Sequence, residues 1–250
     1  MTSILGSGAG SGSLFDSYGR RARLSPLFLL ALPTLVLCAV VIPGLPSWHK
    51  FWPVLAGGGL LVFLDQISRD AGKRLEPQLW DSWGGPPTTR LLRHKDNPNP
   101  VLHARRHAKL ARLTGEEMPT KEQEQRDPAR ADHVYEAAAA YLRACTRSEA
   151  YPLVLLENGN YGFRRNMLGL KPIGLILAAA TGGVALLGCA LSLGDITNFS
   201  PSALAGVSVL CGLSLALWKW KVTPEWVRRG ADNYAERLLE AIETLEPQGQ

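Results

Sequence analysis

The chain has 250 residues, of which 46% are hydrophobic and 20% are charged, and its formal net charge is +5. Its four cysteines have no paired spacing, which argues against a disulfide framework or a zinc ribbon. The length suits one or two domains, but apolar and polar residues are strongly segregated along the chain. The position of the apolar runs is therefore more informative than the average composition.

Two apolar hairpins flank a charged central region. The first hairpin occupies residues 24–67, the central region residues 68–166, and the second hairpin residues 167–218. A bilayer core of roughly 30 Å requires about 20 apolar residues of helix. The runs Leu24–Leu45 and Pro172–Leu193 meet this requirement. We therefore predict a mainly α, four-helix integral membrane protein, with a mostly helical cytoplasmic region between its two transmembrane hairpins.

The other two spans are less uniform. The fourth, Ala203–Trp218, is followed by Lys219, Trp220 and Lys221, which is typical of an interfacial anchor. The second, Phe51–Leu64, is the weakest because it is short and is followed by a charge. A soluble helical core is the alternative, since buried helices are also apolar all round. Glycines grouped inside the apolar runs favour the membrane, because membrane helices tolerate glycine better than soluble helices do.

Lysine and arginine flank the spans on one side only. They precede the first and third spans and follow the second and fourth, whereas the two connecting turns carry only Lys50. The positive-inside rule then places both termini and the central region in the cytoplasm. Arg20 and Arg21 before the first run also fit a signal peptide, but that run is too long and lacks a cleavage site, so we predict a retained anchor. The composition suits a bacterial inner membrane.

The two ends of the chain differ in character. Residues 1–23, rich in glycine and serine, are predicted to be a flexible cytoplasmic tail. Residues 219–250 are predicted to contain a cytoplasmic amphipathic helix, capped by Thr223 and Pro224, whose apolar residues recur every three or four positions. Such a stripe requires cover, either from the central region or from another subunit.

Turn and cap signals divide the central region. Trp80–Thr89 is predicted to be a loop, Val101–Leu113 a helix, and Met118–Arg126 a solvated linker. Asp127 followed by proline predicts a helix that runs to about Thr146. The short apolar run Tyr151–Leu156 fits either a strand or an extended segment.

Aromatic and arginine side chains gather near both ends of the central region, where the adjacent spans bring them to one membrane surface. Aromatic rings can stack on a nucleobase while guanidinium groups bind phosphate. The candidate site for an anionic, nucleotide-like ligand comprises Trp80, Trp83, Arg90, Arg93, Tyr161, Phe163, Arg164 and Arg165. The alternative is an interfacial belt of aromatic residues beside the positive-inside arginines.

Asp65 is the intramembrane polar residue of the predicted spans. An ionisable residue within hydrocarbon suggests a function by default. Arg69 lies four residues further on the same helical face, so we predict an ion pair between the two at the cytoplasmic edge.

A metal site is a weaker possibility in the central region. His103 and His107 lie four residues apart on a predicted helix with His94 upstream, which is a spacing that zinc ligands use. Arg105 and Arg106 crowd the same helix with positive charge, which disfavours a dication. We therefore predict no metal and no other cofactor, and a basic helix that is solvated or faces lipid headgroups.

These features favour a non-enzymatic membrane protein. No recognisable nucleophile, carboxylate pair or phosphate loop is present, so an enzyme that uses the three histidines is the weakest alternative. The order of hairpin, central region and hairpin is similar in topology, without any shared motif, to four-span effectors of bacterial nucleotide-signalling and anti-phage defence systems. We therefore expect a homo-oligomer in the lipid bilayer that a ligand or a partner gates and that perturbs membrane permeability.

The second hypothesis is a scaffold or accessory subunit that docks a cytoplasmic protein on the predicted helices of residues 127–146 and 223–245. Between Arg69 and Asn166, seventeen lysines and arginines face thirteen acidic residues. Because this surface is of mixed charge, no direct DNA binding is expected.

Overall fold

The computed structural model describes residues 25–42, 58–95 and 99–246, and the side chains in these ranges except those of residues 58–65. All regular structure in these ranges is helical, which confirms the mainly α class. The helices are α1 (Ser25–Val41), α2 (Gly58–Trp83), α3 (Pro87–Leu92), α4 (Pro100–Thr114), α5 (Lys121–Arg126), α6 (Pro128–Cys145), α7 (Pro152–Leu193), α8 (Pro201–Ala216) and α9 (Pro224–Glu240). A π-helical turn, Leu217–Lys221, extends α8, and a 3₁₀ turn, Ala241–Thr244, extends α9. The predicted tail of residues 1–23 lies outside the described residues.

Two of the helices are long and apolar enough to cross a membrane. They are α7, with 42 residues, and α8 with its π-helical turn, with 21 residues. In the most apolar part of each, less than a third of the residues are buried within the chain. The described part of the apolar helix α1 has 17 residues, and residues 43–57, which include the start of the predicted second span, lie outside the described part of the chain. The structure therefore supports two of the four predicted spans by length and composition.

Local capping chemistry positions several helix ends as predicted. The Asn99 side chain accepts a hydrogen bond from the Leu102 amide at the start of α4, and Gly115 ends that helix with a left-handed φ of 74°. The Asp127 carboxylate accepts from the Arg130 amide at 3.1 Å, which begins α6. These ends form where the sequence predicts them because each depends on a residue that acts within a few positions of itself, through a capping side chain or through the backbone freedom of glycine.

Two predicted irregular segments are helical instead. The predicted loop Trp80–Thr89 is irregular only at residues 84–86, because α2 continues through Pro77 to Trp83 and α3 begins at Pro87. The predicted linker Met118–Arg126 contains α5, in which Thr120 and Gln123 form a capping box. Packing explains the longer α2, since Leu79 and Trp83 are buried against Tyr161 and Val227.

The run Tyr151–Leu156 is neither a strand nor an extended segment. Residues 152–156 are the first part of α7, which runs without interruption from Pro152 through Pro172 to Leu193. Gly159 and Gly162 are buried within this helix. The predicted boundary between residues 166 and 167 therefore falls inside one helix.

Helix α7 is the central element, and α1, α2, α8 and α9 all pack against it. The backbones of α2 and α7 approach most closely at two glycines. A Cβ atom on Gly169 would lie 2.5 Å from the carbonyl carbon of Ala71, and one on Gly72 would lie 2.9 Å from the Cα atom of Asn166. Only glycine allows this approach, because a methyl group would overlap with backbone atoms that cannot rotate away.

Helices α3 to α6, together with α9, form what we call the polar lobe. Its core includes the fully buried residues Leu92, Leu110, Tyr135, Leu142, Leu238 and Ile242. The apolar stripe of α9 is covered within the chain, since Val227, Leu238 and Ile242 are inaccessible to solvent. The sequence left open whether the central region or another subunit buries this stripe. In the structure, residues of the same chain bury it.

Candidate ligand pocket

An open cleft lies between the polar lobe and the first part of α7. We call it the α2–α7 cleft, and its volume is about 810 Å³. Its walls come from α2, the segment of residues 85–89, the end of α6, α7 and α9. The volume is within the range of sites that enclose a ligand of drug or nucleotide size.

Three residues of the predicted ligand site line this cleft. Trp80 lies on the α2 wall, and Tyr161 and Arg165 lie on the α7 wall. The cleft thus combines two aromatic side chains with a guanidinium group, as the nucleotide-like hypothesis requires.

A buried ion pair connects α2 and α7 in the floor of the cleft. The Arg165 guanidinium donates to the Glu76 carboxylate, and both side chains are only about one-seventh exposed, at 15% and 13%. The Tyr161 hydroxyl donates to the same carboxylate at 3.0 Å. Burial and the nearby Glu76 charge raise the pKa of Tyr161, so its hydroxyl remains a donor at neutral pH. This three-residue group aligns the two helices that form most of the cleft.

The other five predicted ligand residues have structural contacts. Arg90 donates to Asp232 at 2.5 Å, and Arg93 binds both carboxylate oxygens of Asp132 at 2.6 and 2.7 Å. Trp83 is buried in the contact of α2 with α7 and α9. Phe163 and Arg164 both pack on the Trp226 ring, at 6.0 Å between ring centroids and 5.4 Å from the guanidinium carbon. These arginines stabilise contacts between helices. Sequence spacing alone cannot distinguish an arginine with this structural role from one that binds an anion.

Two basic residues that the sequence reasoning missed lie on the cleft wall. Arg143 and Arg147 are exposed near the end of α6, and neither forms an ion pair with another described residue. Arg143 lies in the last turn of α6 and Arg147 two residues beyond its end, and both side chains line the cleft. Their spacing, with Tyr141 and Tyr151 on either side, was a visible signal in the sequence.

The remaining sequence predictions have different outcomes. Asp65 lies in α2, but its side chain is outside the described residues, and Arg69 donates to Gln66 at 2.6 Å. The histidine-bearing helix α4 is not simply solvated, because His103 and His107 are buried. His94 lies beside them, although residues 96–98, between it and α4, are outside the described part of the chain.

Comparisons with known proteins identify no relative of this chain. No protein-family model matches it, and neither a curated protein nor a solved structure is significantly similar to it.

Proposed function

We propose that the chain is a non-enzymatic membrane protein of the bacterial inner membrane. It binds an anionic, nucleotide-like ligand in the α2–α7 cleft and, as a homo-oligomer, changes membrane permeability. The observation that carries this proposal is the continuity of α7. The same unbroken helix supplies Tyr161 and Arg165 to the cleft and then continues through the apolar segment that ends at Leu193.

A lipid environment is supported by the surface of the two long apolar helices. Large apolar side chains of both helices point away from the chain: Ile176, Val184, Leu186, Leu187, Val209 and Leu213 are 58–70% exposed. A soluble protein rarely exposes so much contiguous apolar surface. Acyl chains would cover it without a further subunit.

An inside-facing cleft is supported by the basic residues where α7 and α8 meet. The Lys171 ammonium group donates to the Lys219 and Val222 carbonyl oxygens at 3.2 and 2.8 Å, so the basic residues that border the apolar segments of the two helices are adjacent. The opposite end, residues 194–200, has no lysine or arginine. By the positive-inside rule, the end that carries the cleft faces the cytoplasm.

Anion binding is supported by the charges of the cleft. Lys73, Arg143 and Arg147 line it in addition to Arg165, whose charge is matched by Glu76. Asp81 and Glu136 also line the cleft and make it less positive. The two arginines from the end of α6 are therefore the groups best placed to bind phosphate, since each presents several donors in a fixed plane.

Oligomer formation is supported by exposed glycines on the two long helices. Gly183 on α7 and Gly206 on α8 have open space where a Cβ atom would lie. Glycines on a lipid-facing surface allow another helix to approach closely. The scaffold hypothesis gains less support, because the apolar faces of α6 and α9 that it would use are buried in the polar lobe.

Membrane potential tests this function. Brief induced expression in bacteria, followed with a voltage-sensitive dye, is expected to depolarise the cells. The double variant Arg143→Glu with Arg147→Glu should abolish the depolarisation, because it reverses the charge that would bind the ligand. The control variant Arg126→Glu with Arg130→Glu makes the same charge change at exposed positions away from the cleft and should behave as the wild type.

Insertion of each variant is checked by membrane fractionation. If the wild type inserts and the potential stays constant, the permeability function is wrong. If both double variants reduce depolarisation equally, net charge rather than the cleft explains the effect.

A further inference from the structure

Three histidines of the polar lobe lie close together. None of them lines the α2–α7 cleft, and the inference drawn from them is independent of the function proposed above. His94 follows α3, and His103 and His107 lie one turn apart on α4. A ring nitrogen of each lies within 4.8 Å of one from each of the others. The ring centroids of His103 and His107 are 3.9 Å apart, and those of His94 and His103 are 4.5 Å apart. We call this group the histidine cluster.

Backbone carbonyl groups define the proton position in all three rings. Nε2 of His103 and Nε2 of His107 each lie 2.9 Å from the Leu92 carbonyl oxygen, and Nε2 of His94 lies 2.9 Å from that of Pro119. Because a carbonyl oxygen only accepts, each Nε2 carries the proton and each neutral ring has its lone pair on Nδ1. Histidines that bind metals characteristically donate their other ring nitrogen to a carbonyl or carboxylate group.

Burial disfavours the charged form of the two histidines on α4. Burial and the neighbouring His103 lower the pKa of His107 to about 4, and burial also lowers the pKa of His103.

The surroundings of the cluster supply negative charge. The buried Glu124 carboxylate accepts from the His94 amide at 2.8 Å and from the Tyr135 hydroxyl at 2.9 Å. Its charge acts on both His103 and His107 and opposes that of the buried Arg106. A metal ion would be attracted by this carboxylate.

Two basic residues of α4 are engaged away from the histidines. Arg105 pairs with Glu243 at 3.0 Å, and Lys109 donates to the Glu243 carbonyl oxygen at 2.8 Å. Both contacts join the exposed face of α4 to the end of α9. The buried Arg106 stays beside His103, and the basic residues that line the second cleft with His94 are Arg93, Lys95 and Lys121.

We propose that His94, His103 and His107 bind one divalent transition-metal ion of the zinc class. Three imidazoles are a donor set that zinc uses, and sites with three protein ligands keep a further position for water or another small ligand. That position has a route to solvent, since His94 and Glu124 line a second cleft of about 340 Å³. Tetrahedral Zn–N bonds of about 2.0–2.1 Å place the nitrogens roughly 3.3 Å apart, so nitrogens 4.8 Å apart would approach one another by about 1.5 Å.

The competing explanation is that His103 and His107 only cap the C-terminal carbonyl group of α3. Metal content distinguishes the two. The full-length chain, purified in mild detergent with a tag that contains no histidine, is stripped with a chelator and titrated with zinc chloride. We expect about one zinc ion per chain after desalting. Cobalt chloride should give the visible absorption bands of a four-coordinate cobalt site.

Two histidine variants provide the matched comparison. His107→Gln keeps an amide donor for the Leu92 carbonyl group and removes a ligand, so zinc binding should weaken at least about tenfold. His133→Gln changes an exposed histidine on α6 and should bind zinc as the wild type does. Zinc should also raise the melting temperature of the wild type and of His133→Gln, but not that of His107→Gln.

A second measurement distinguishes the loss of a zinc ligand from misfolding of the variant. The melting temperature of each protein in excess chelator shows whether it is folded without metal. If the wild type binds no zinc and its melting temperature does not change with zinc, the metal site is wrong. Equal zinc content in the wild type and in folded His107→Gln would likewise overturn it.

Discussion

Replacing Glu76 with alanine is expected to lower the free energy of unfolding by about 3–5 kcal/mol. The change leaves the Arg165 guanidinium buried without its carboxylate and removes the acceptor of the Tyr161 hydroxyl. An uncompensated buried charge costs far more than an exposed one. Denaturant titration in detergent, followed by tryptophan fluorescence, measures the loss.

An exposed ion pair of α9 provides the control for this substitution. Arg237 and Glu240 form a pair of similar chemistry whose side chains are 44% and 47% exposed. Glu240→Ala should change the free energy of unfolding by less than about 0.5 kcal/mol. Glu76→Gln keeps an oxygen acceptor but removes the charge, so it should lie between the wild type and Glu76→Ala. Equal effects of Glu76→Ala and Glu240→Ala would show that the pair below the cleft is not a structural connection.

The second large effect is expected where α2 crosses α7. Gly169→Ala should destabilise the chain by about 1–3 kcal/mol, because its methyl group would lie 2.5 Å from the Ala71 carbonyl carbon. The two backbones must separate, which also disturbs the Glu76–Arg165 pair above the crossing. The free energy of unfolding in detergent is the measurement.

Gly212→Ala, on α8, is the matched control. No atom lies within 4 Å of the added methyl group, and alanine favours helix over glycine by about 1 kcal/mol. This variant should be as stable as the wild type or slightly more stable. If Gly169→Ala were equally stable, the close approach of α2 and α7 would be contradicted.

The nucleotide-like ligand hypothesis illustrates how far a sequence pattern can locate a site. Trp80, Tyr161 and Arg165 do line one cleft, because the segments that contain them lie on two adjacent helices. Arg90 and Arg93 pair with carboxylates on distant helices, as Arg165 does, but neither lines the cleft. The partner of each arginine lies far along the chain, and its position cannot be read from local spacing.

For the histidines, the sequence pattern missed a cluster that the structure contains. The sequence suggested that α4 was a basic helix facing solvent or lipid, because Arg105, Arg106, Lys109 and Arg112 crowd it with positive charge. In the structure one face of α4 carries His103 and His107 into the polar lobe, where they meet the end of α3. The contact depends on where residues 87–92 lie, which no periodicity within α4 indicates.

The amino-acid sequence by itself determined the helical class, the ends of α4, α6 and α9, and the apolar character of α7 and α8. Each of these depends on hydrogen bonds within a few residues or on hydropathy summed along one segment. Only the tertiary structure decided that residues 152–166 continue α7, that α9 is covered within the chain, and which arginines border the cleft. Those outcomes depend on burial against helices that are distant in the sequence. For residues 152–166, this burial stabilises a helix that the local glycines and aromatic residues do not specify.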